Sequence, residues 1–258
     1  MSKMHFLLND FYAFLIVFAR LGGLIFLLPG FAENYVNPRI RVLIALTTAF
    51  LLAPILAHKI PGMPHEPFEF FIVFLTEFLV GYFAGILVRI MISSFEMAGA
   101  LMGYQMNLAN AFAEGPASSQ QVALPGVFLG LMAVLLIFVT DLHHLYFRMF
   151  VQSYEVFRPV DPLSLTLMAQ DILKTITNFL MASIVLSVQI SAPVLMIGLL
   201  LHASSGFISR LMPQVQIFFI IQPLQIAVGF TILWLSIGVI MPFFLEKFET
   251  AISTLSAE

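Results

Sequence analysis

The sequence of 258 residues contains no cysteine and very little charge. Without cysteine the chain has no disulfide, no thiol nucleophile and no cysteine ligand for zinc or an iron–sulfur cluster. Charged residues make up 10% of the chain, against about 25% in a typical soluble domain. This is too little charge to cover a water-soluble fold, which excludes soluble enzymes and disordered regulators.

Basic residues are also scarce and scattered. The chain has 11 Lys and Arg against 14 Asp and Glu, which gives a net charge of −3. No basic cluster provides the electrostatic footprint of a nucleic-acid-binding protein, so we expect no nucleic-acid partner. The sequence also lacks a Gly-x-Ser-x-Gly elbow, a phosphate loop and a His-Glu-x-x-His motif. We therefore expect a protein that is not an enzyme, with no catalytic residue, no metal site and no cofactor.

Hydrophobic residues, in contrast, make up 60% of the sequence, and 28 of them are Phe. Six apolar stretches approach or exceed the roughly 20 residues that a helix needs to cross a bilayer. None shows the strict alternation of a membrane β-strand. The sequence predicts an all-α polytopic membrane protein with about six long helices. The stretches are 11–29, 40–57, 68–92, 122–140, 176–202 and about 219–245.

Prolines and polar segments interrupt this apolar pattern. Prolines within apolar runs free backbone carbonyls that neighbouring helices must satisfy, so they predict kinked helical hairpins packed on protein. Residues 93–121 are small, polar and free of Lys and Arg, and residues 203–218 carry Arg210. In both segments we expect non-helical backbone beside protein or a water-filled cavity. The prolines in question are Pro125, Pro193, Pro223 and Pro242.

Glu77, Gly81, Gly85 and Arg89 lie four residues apart on one face of a predicted helix. Charges in an apolar run need partners, and glycines let two helices approach closely. The pattern favours a helix–helix interface with buried ion pairs over an ion or proton path, which usually needs several linked protonatable groups. We expect four buried charges at subunit interfaces: Arg20, Glu77, Arg89 and Glu96.

Pairs of glycines four residues apart occur three times, a spacing typical of close helix packing in membranes. Asp141, His143 and His144 carry metal-ligating atoms, but a zinc site wants three or four ligands with ordered spacing. We interpret these three residues as the polar end of a helix. The predicted helix-packing glycines are Gly81, Gly85, Gly99, Gly103, Gly126 and Gly130.

A series of motifs runs along the chain in this order: Arg20, Pro29, Pro38, Pro54, Glu77, Gly81, Gly85, Gly99-Ala-Leu-Met-Gly103-Tyr-Gln105-Met106, Gly115-Pro116, Asp141-Leu-His143, Ser153, Pro159, Pro213-Gln214-Val-Gln216-Ile-Phe218 and Pro223. Taken together, these motifs resemble the FliR family of flagellar biosynthetic proteins, which has counterparts in injectisomes. The resemblance covers nearly the whole chain. The chain departs from the family pattern at Asn107, where Gly is usual, at Glu114-Gly115-Pro116, where Asp-Pro is usual, and at Gln216, where Asn is usual.

The resemblance implies a structural channel subunit of the type III protein export gate, in the bacterial inner membrane at the flagellar basal body. In that family one copy joins several FliP and FliQ subunits around a channel for unfolded export substrates, and FlhB and FlhA associate with it. Its helices are largely held within the assembly, with contacts to membrane lipid. The alternative is a small-molecule secondary transporter, which should show paired interrupted helices in two related halves. The sequence has no convincing internal repeat.

The resemblance also divides the chain into a FliP-like helical region, residues 1–170, and a FliQ-like helical hairpin, residues 171–258, which ends in an amphipathic tail. The family carries a pore-plugging loop at residues 105–121, which we call the gate loop. Methionine and apolar side chains suit a soft seal, and amides suit non-helical backbone beside water. An ordinary solvent-facing loop is the alternative. The expected plug residues are Gln105, Met106, Asn107, Leu108, Asn110, Phe112 and Glu114.

Overall fold

The structure is a computed structural model that describes residues 2–33, 35–64, 66–108, 112–114, 121–157, 169–211 and 217–257. Within these ranges it contains seven α-helices and one antiparallel pair of short strands, so the prediction of an all-α fold is confirmed. The helices are α1 (Ser2–Ile25), α2 (Pro38–Leu56), α3 (Pro67–Gln105), α4 (Leu124–Val139), α5 (His143–Val156), α6 (Ala169–Leu211) and α7 (Ile217–Ala257). The strands are β1 (Phe112–Glu114) and β2 (Gln121–Ala123).

The helices extend beyond the apolar stretches from which they were predicted. α3 continues to Gln105 and α6 to Leu211, so the parts of the two polar segments at 93–105 and 203–211 are helical, contrary to expectation. Ala, Leu, Met and Glu in the first of these are good helix formers, and its glycines find a neighbouring helix to pack on. Pro125 lies in the first turn of α4, where a backbone N–H would have no hydrogen-bond partner within the helix and proline costs nothing by lacking it.

Among the described residues, four helical segments are long and apolar enough to cross a membrane, and the number rises to five if α4 and α5 together form one span. The four are Pro38–Lys59, Pro67–Gln105, Gln170–Leu211 and Ile221–Ser253. α6 has 43 residues, so at about 1.5 Å per residue it is roughly twice as long as the ~30 Å hydrocarbon core of a bilayer. Part of this helix must therefore lie outside the hydrocarbon.

The chain forms two compact units. The first comprises Met1–Ile90, Asp141–Phe179 and Glu249–Glu258, and the second comprises Met91–Thr140 and Leu180–Phe248. In the first unit α1 packs along α2, and Tyr12, Ile16 and Val73 share a buried cluster.

In the second unit the rings of Phe95 and Phe244 meet with centroids 4.3 Å apart. A row of buried serines at Ser183, Ser187 and Ser191 follows one face of α6, which the sequence reading did not single out. Small residues spaced four apart suit a close helix contact.

α1 and α3 touch through their backbones in the first unit. A Cβ atom on Gly81 would lie 1.8 Å from the carbonyl oxygen of Arg20, and one on Gly23 would lie 2.3 Å from that of Phe78. The contact at Gly85 is looser, at 2.9 Å from the Leu27 Cβ. The spacing of Gly81 and Gly85 predicted a packing face, whereas Gly23 has no glycine partner four residues away and was missed.

α3 and α4 make a similar contact in the second unit. A Cβ on Gly99 would lie 2.0 Å from the Cα of Gly126, and one on Gly103 would lie 3.0 Å from the Ala123 Cβ. Gly130 is buried one turn further along α4. Close packing therefore holds the two helices that flank the gate loop.

The adjacent Gly22 and Gly23 provide a matched test of the α1–α3 contact. Gly23→Ala should reduce the yield of folded protein in the membrane, because the new methyl group overlaps backbone atoms; such overpacking typically costs about 1–3 kcal/mol. Gly22→Ala should leave the yield unchanged or raise it, since among the described residues its added Cβ meets no atom within 4 Å outside its own stretch of helix. Equal yields of the two variants, measured by quantitative blotting of membranes, would contradict the contact.

Candidate functional site

α3 ends in a cap that turns the chain sharply. The Leu108 N–H donates to the Gly103 carbonyl at 2.8 Å, and the Asn107 N–H donates to the Tyr104 carbonyl at 3.3 Å. Asn107 has a φ of 56°, in the left-handed region. These bonds and this φ define a Schellman cap, in which glycine is most common and asparagine is also accepted. The gate loop therefore begins at a fixed turn.

The gate loop is partly a two-stranded ribbon, in which Phe112 pairs with Ala123 and Glu114 with Gln121. Four of the seven expected plug residues are described with their side chains: Gln105, Met106, Asn107 and Leu108. Phe112 and Glu114 are described only by their backbone, and Asn110 lies outside the described residues. Several residues that carry the family resemblance also lie outside them: Gly115, Pro116, Pro159, Pro213, Gln214 and Gln216.

Residues 105–108, which we call the loop root, rest on α6 and α7. Met106 is buried against Gly229 of α7, where an added Cβ would lie 2.5 Å from the Met106 Cγ. Gln105 packs against Gly198 of α6, where an added Cβ would lie 1.9 Å from the Gln105 Cγ. The packing roles of Gly198 and Gly229 were not predicted from the sequence. An isolated glycine within a helical pattern is only weak evidence of a close contact.

A chain of polar side chains continues from the loop root. The Asn107 side-chain amide donates a hydrogen bond to Oε1 of Gln225 on α7. Gln225 is only 2% exposed, and its Nε2 lies 3.2 Å from Nδ1 of His202 on α6. A cavity of about 240 Å³ adjoins these three residues and is otherwise lined by Ser205, Gly206, Ser209, Ile221 and Gln222. The sequence reading missed Gln225 and His202, although a Gln inside an apolar helix is a usable signal.

The first unit contains a buried charge centre built around Arg20, which is 1% exposed. Its Nε and Nη2 donate to the two carboxylate oxygens of Glu77 at 2.6 and 3.0 Å. Its Nη1 donates to the Ser153 hydroxyl at 3.0 Å, and Nη2 also donates to the Phe157 carbonyl at 2.8 Å. The Tyr154 ring lies under the guanidinium, 3.8 Å from Cζ. The centre thus links α1, α3 and the end of α5.

Arg20 and Glu77 thus form a bidentate ion pair, which is the strong form of an arginine–carboxylate interaction. An ion pair removed from water needs further hydrogen bonds. The Ser153 hydroxyl and the Phe157 carbonyl accept them from Arg20, and the Tyr154 ring adds a cation–π contact. The partner of each charge lies in this chain, on another helix. The role expected for Arg20 and Glu77 at an interface with another subunit stays a prediction.

The other two predicted charges lie in different surroundings. Arg89 places Nη1 3.7 Å from Oε1 of Glu33, whose side chain is 1% exposed, while the Arg89 side chain is 20% exposed. Glu33 was not singled out from the sequence, because it lies in a turn rather than in an apolar run. Glu96 is half-buried on α3, and its carbonyl lies close to Gly126.

Asp141, His143 and His144 lie together where α4 ends. Their ligating atoms all lie within 4.8 Å of one another, and the cluster comprises these three residues within the described part of the chain. Asp141 has a φ of 59°, and His144 Nδ1 lies 3.1 Å from the Asp141 carbonyl oxygen. The trio lies between the end of α4 and the first turn of α5, and its interpretation as a polar helix end that binds no metal stays a prediction.

The chain is similar to known bacterial proteins over most of its length. The model of the family "Bacterial export proteins, family 1" matches residues 11–251. The chain belongs to this family. The flagellar biosynthetic protein FliR of Caulobacter vibrioides is 29% identical over 238 residues, which cover 92% of this chain and 93% of the relative. FliR of Bacillus subtilis is 28% identical over 254 residues, 98% of this chain and 96% of the relative. FliR of Escherichia coli is 24% identical over 241 residues, 92% and 88% of the two chains. The resemblance drawn from the motifs is confirmed.

Proposed function

We propose that the chain is a structural, non-enzymatic channel subunit of the flagellar type III protein export gate. Membership of a bacterial export family and relatives named for flagellar biosynthesis support an export role. The observation that carries the channel role is the break between α3 and α4. Between two helices that pack glycine against glycine, the described residues form a capped turn and a short ribbon. Non-helical backbone in so apolar a chain needs surrounding protein or a water-filled path.

The gate loop is, in this proposal, the plug of the channel. A gate for unfolded protein must open widely for cargo and stop ions when idle, so it needs a deformable closure. Leu108 offers soft apolar surface that excludes water, whereas Met106 is buried against Gly229 and anchors the loop root. No lysine or arginine occurs between residues 93 and 121, so no fixed positive charge there traps acidic cargo. A small-molecule transporter, the alternative from the sequence, is not favoured by the family match.

The exposed apolar surface supports assembly with other membrane subunits. Phe50, Leu211 and Trp234 are 72%, 81% and 74% exposed in the single chain. Patches of this kind are covered by lipid or by protein. We propose FliP- and FliQ-like subunits in one hetero-oligomer as the main cover, with FlhB and FlhA associated, in the inner membrane at the flagellar basal body. We also propose that residues 1–170 are FliP-like and residues 171–258 FliQ-like.

Purification of the tagged chain in mild detergent tests this assignment. We expect FliP- and FliQ-like subunits to co-purify in fixed ratio, as shown by mass spectrometry and native mass. Expressed without them, the chain should aggregate or be degraded, because its glycine-lined and apolar helix faces stay uncovered. A monodisperse, folded monomer obtained from the chain alone would contradict the subunit role.

A further inference from the structure

We propose that Gln225, oriented by His202, is a positioning residue that latches the loop root and holds the plug closed. The proposal rests on the proposed function, because it assigns α6 and α7 a role in holding the gate loop. Its residues lie in the second compact unit, on the end of α3 and on the two long helices.

Asn107 lies in the cap that ends α3. The left-handed φ of Asn107 is easiest for glycine, and asparagine is one of the few other residues that accept it routinely. Glycine has no side chain, so it would close the helix without binding anything. Asparagine closes the helix and also presents an amide N–H to Gln225. Residue 107 therefore fixes the turn and attaches it to α7.

The orientation of the Gln225 amide determines which of its groups faces Asn107. A glutamine side chain has one acceptor oxygen and one donor NH₂ group, so a partner on one side determines what faces the other. Nδ1 of His202 lies 3.2 Å from Nε2 of Gln225, and in the tautomer that leaves Nδ1 unprotonated it accepts a hydrogen bond from the NH₂ group, which directs Oε1 toward Asn107. His202 thus orients the acceptor, and Gln225 receives the loop root.

The hydrogen bond between Asn107 and Gln225 differs in kind from the neighbouring contacts of the loop root. Met106 at Gly229 and Gln105 at Gly198 seat the loop root by shape. The hydrogen bond from Asn107 adjoins a cavity of about 240 Å³ lined by serine and glutamine, where water can replace a lost partner. Because water can take the place of the lost partner, removal of one neutral hydrogen bond should change the ratio of closed to open gates roughly fivefold. The latch is weak enough to open for cargo.

Two single substitutions test the latch in the complete gate. Asn107→Gly keeps the left-handed turn and removes the donor, and Gln225→Met keeps the length of the side chain and removes the acceptor. We expect normal amounts of assembled complex and a roughly fivefold rise in entry of a small impermeant dye into idle cells. Gln222→Met is the matched control, since Gln222 lines the same cavity on α7 and makes no described hydrogen bond to Asn107. It should leave dye entry unchanged.

A reversible lock tests whether the loop root must leave α7 during export. Met106→Cys with Gly229→Cys places two thiols where the Met106 Cγ and an added Cβ at residue 229 are 2.5 Å apart. The chain has no other cysteine. We expect oxidation to form a disulfide that blocks secretion of flagellar substrates, and reductant to restore it, with either single variant insensitive. Failure of the disulfide to form, or secretion through the oxidised pair, would overturn the latch.

A third variant separates this proposal from the plug assignment. A chain lacking residues 109–113 keeps Asn107 and Gln225 and shortens the loop. Dye entry in this deletion together with tight seals in Asn107→Gly and Gln225→Met would overturn the latch and leave the plug standing. Tight seals in all three would contradict the plug itself. Dye entry in all three, with a silent Gln222→Met, is the result that supports both.

Discussion

Replacement of Arg20 by alanine should nearly abolish recovery of the folded protein and of any complex that contains it. The substitution leaves the Glu77 carboxylate, 2% exposed, without its guanidinium partner. Removing one member of a buried ion pair typically costs about 3–5 kcal/mol, a large part of the roughly 5–15 kcal/mol that stabilises a domain. Glu77→Ala should have a similar effect. The measurement is the amount of complex recovered from solubilised membranes on a native gel.

A double substitution separates structure from function at this centre. Arg20→Met with Glu77→Leu replaces both charges by apolar groups of similar size, a change that is often neutral or stabilising. We expect the double variant to assemble far better than either single alanine variant. Full export by it would show that the pair is structural, whereas assembly without export would assign the charges a role in the path. Normal assembly of Arg20→Ala would contradict the buried pairing.

The sequence predicted the existence of these charges more readily than their partners. Arg20 and Glu77 stood out because each interrupts an apolar run, and a charge there needs compensation. They lie 57 residues apart, on helices whose mutual orientation depends on packing that no local pattern records. Ser153 was known only as part of the family resemblance, and its hydroxyl is the third partner of Arg20. Glu33 was not predicted because it lies in a turn rather than in an apolar run, so its charge does not interrupt an apolar pattern.

For the gate loop, too, the sequence predicted the location but not the contacts. Its polar composition and the glycine–proline pair located a break near residues 105–121, and the structure ends α3 at Gln105 and starts β2 at Gln121. The helical part before Gln105 was not expected, because a small and polar composition also suits loops. The contacts to Gln225 and His202 follow from the approach of three distant segments, which single-sequence patterns do not encode.

Under the proposed function, deletion of residues 109–113 should open the idle gate. The deletion keeps the cap at Asn107 and removes the part of the loop that includes Phe112, the residue paired with Ala123 in the ribbon. A shortened loop should no longer fill the pore or exclude water from it, so ions should pass where a dewetted constriction had stopped them. The helix contacts at Gly99 and Gly126 lie outside the deletion, so we expect the subunit composition to be unchanged.

The most direct test of the plug is the ion conductance of the purified complex in liposomes, with and without residues 109–113. The complete chain should give vesicles that retain an ion gradient, and the deletion should dissipate it at equal protein content. Native mass spectrometry of the same samples confirms that both complexes hold the same subunits. A deletion complex of normal composition that stays as tight as the complete one would contradict the assignment of the gate loop as the plug.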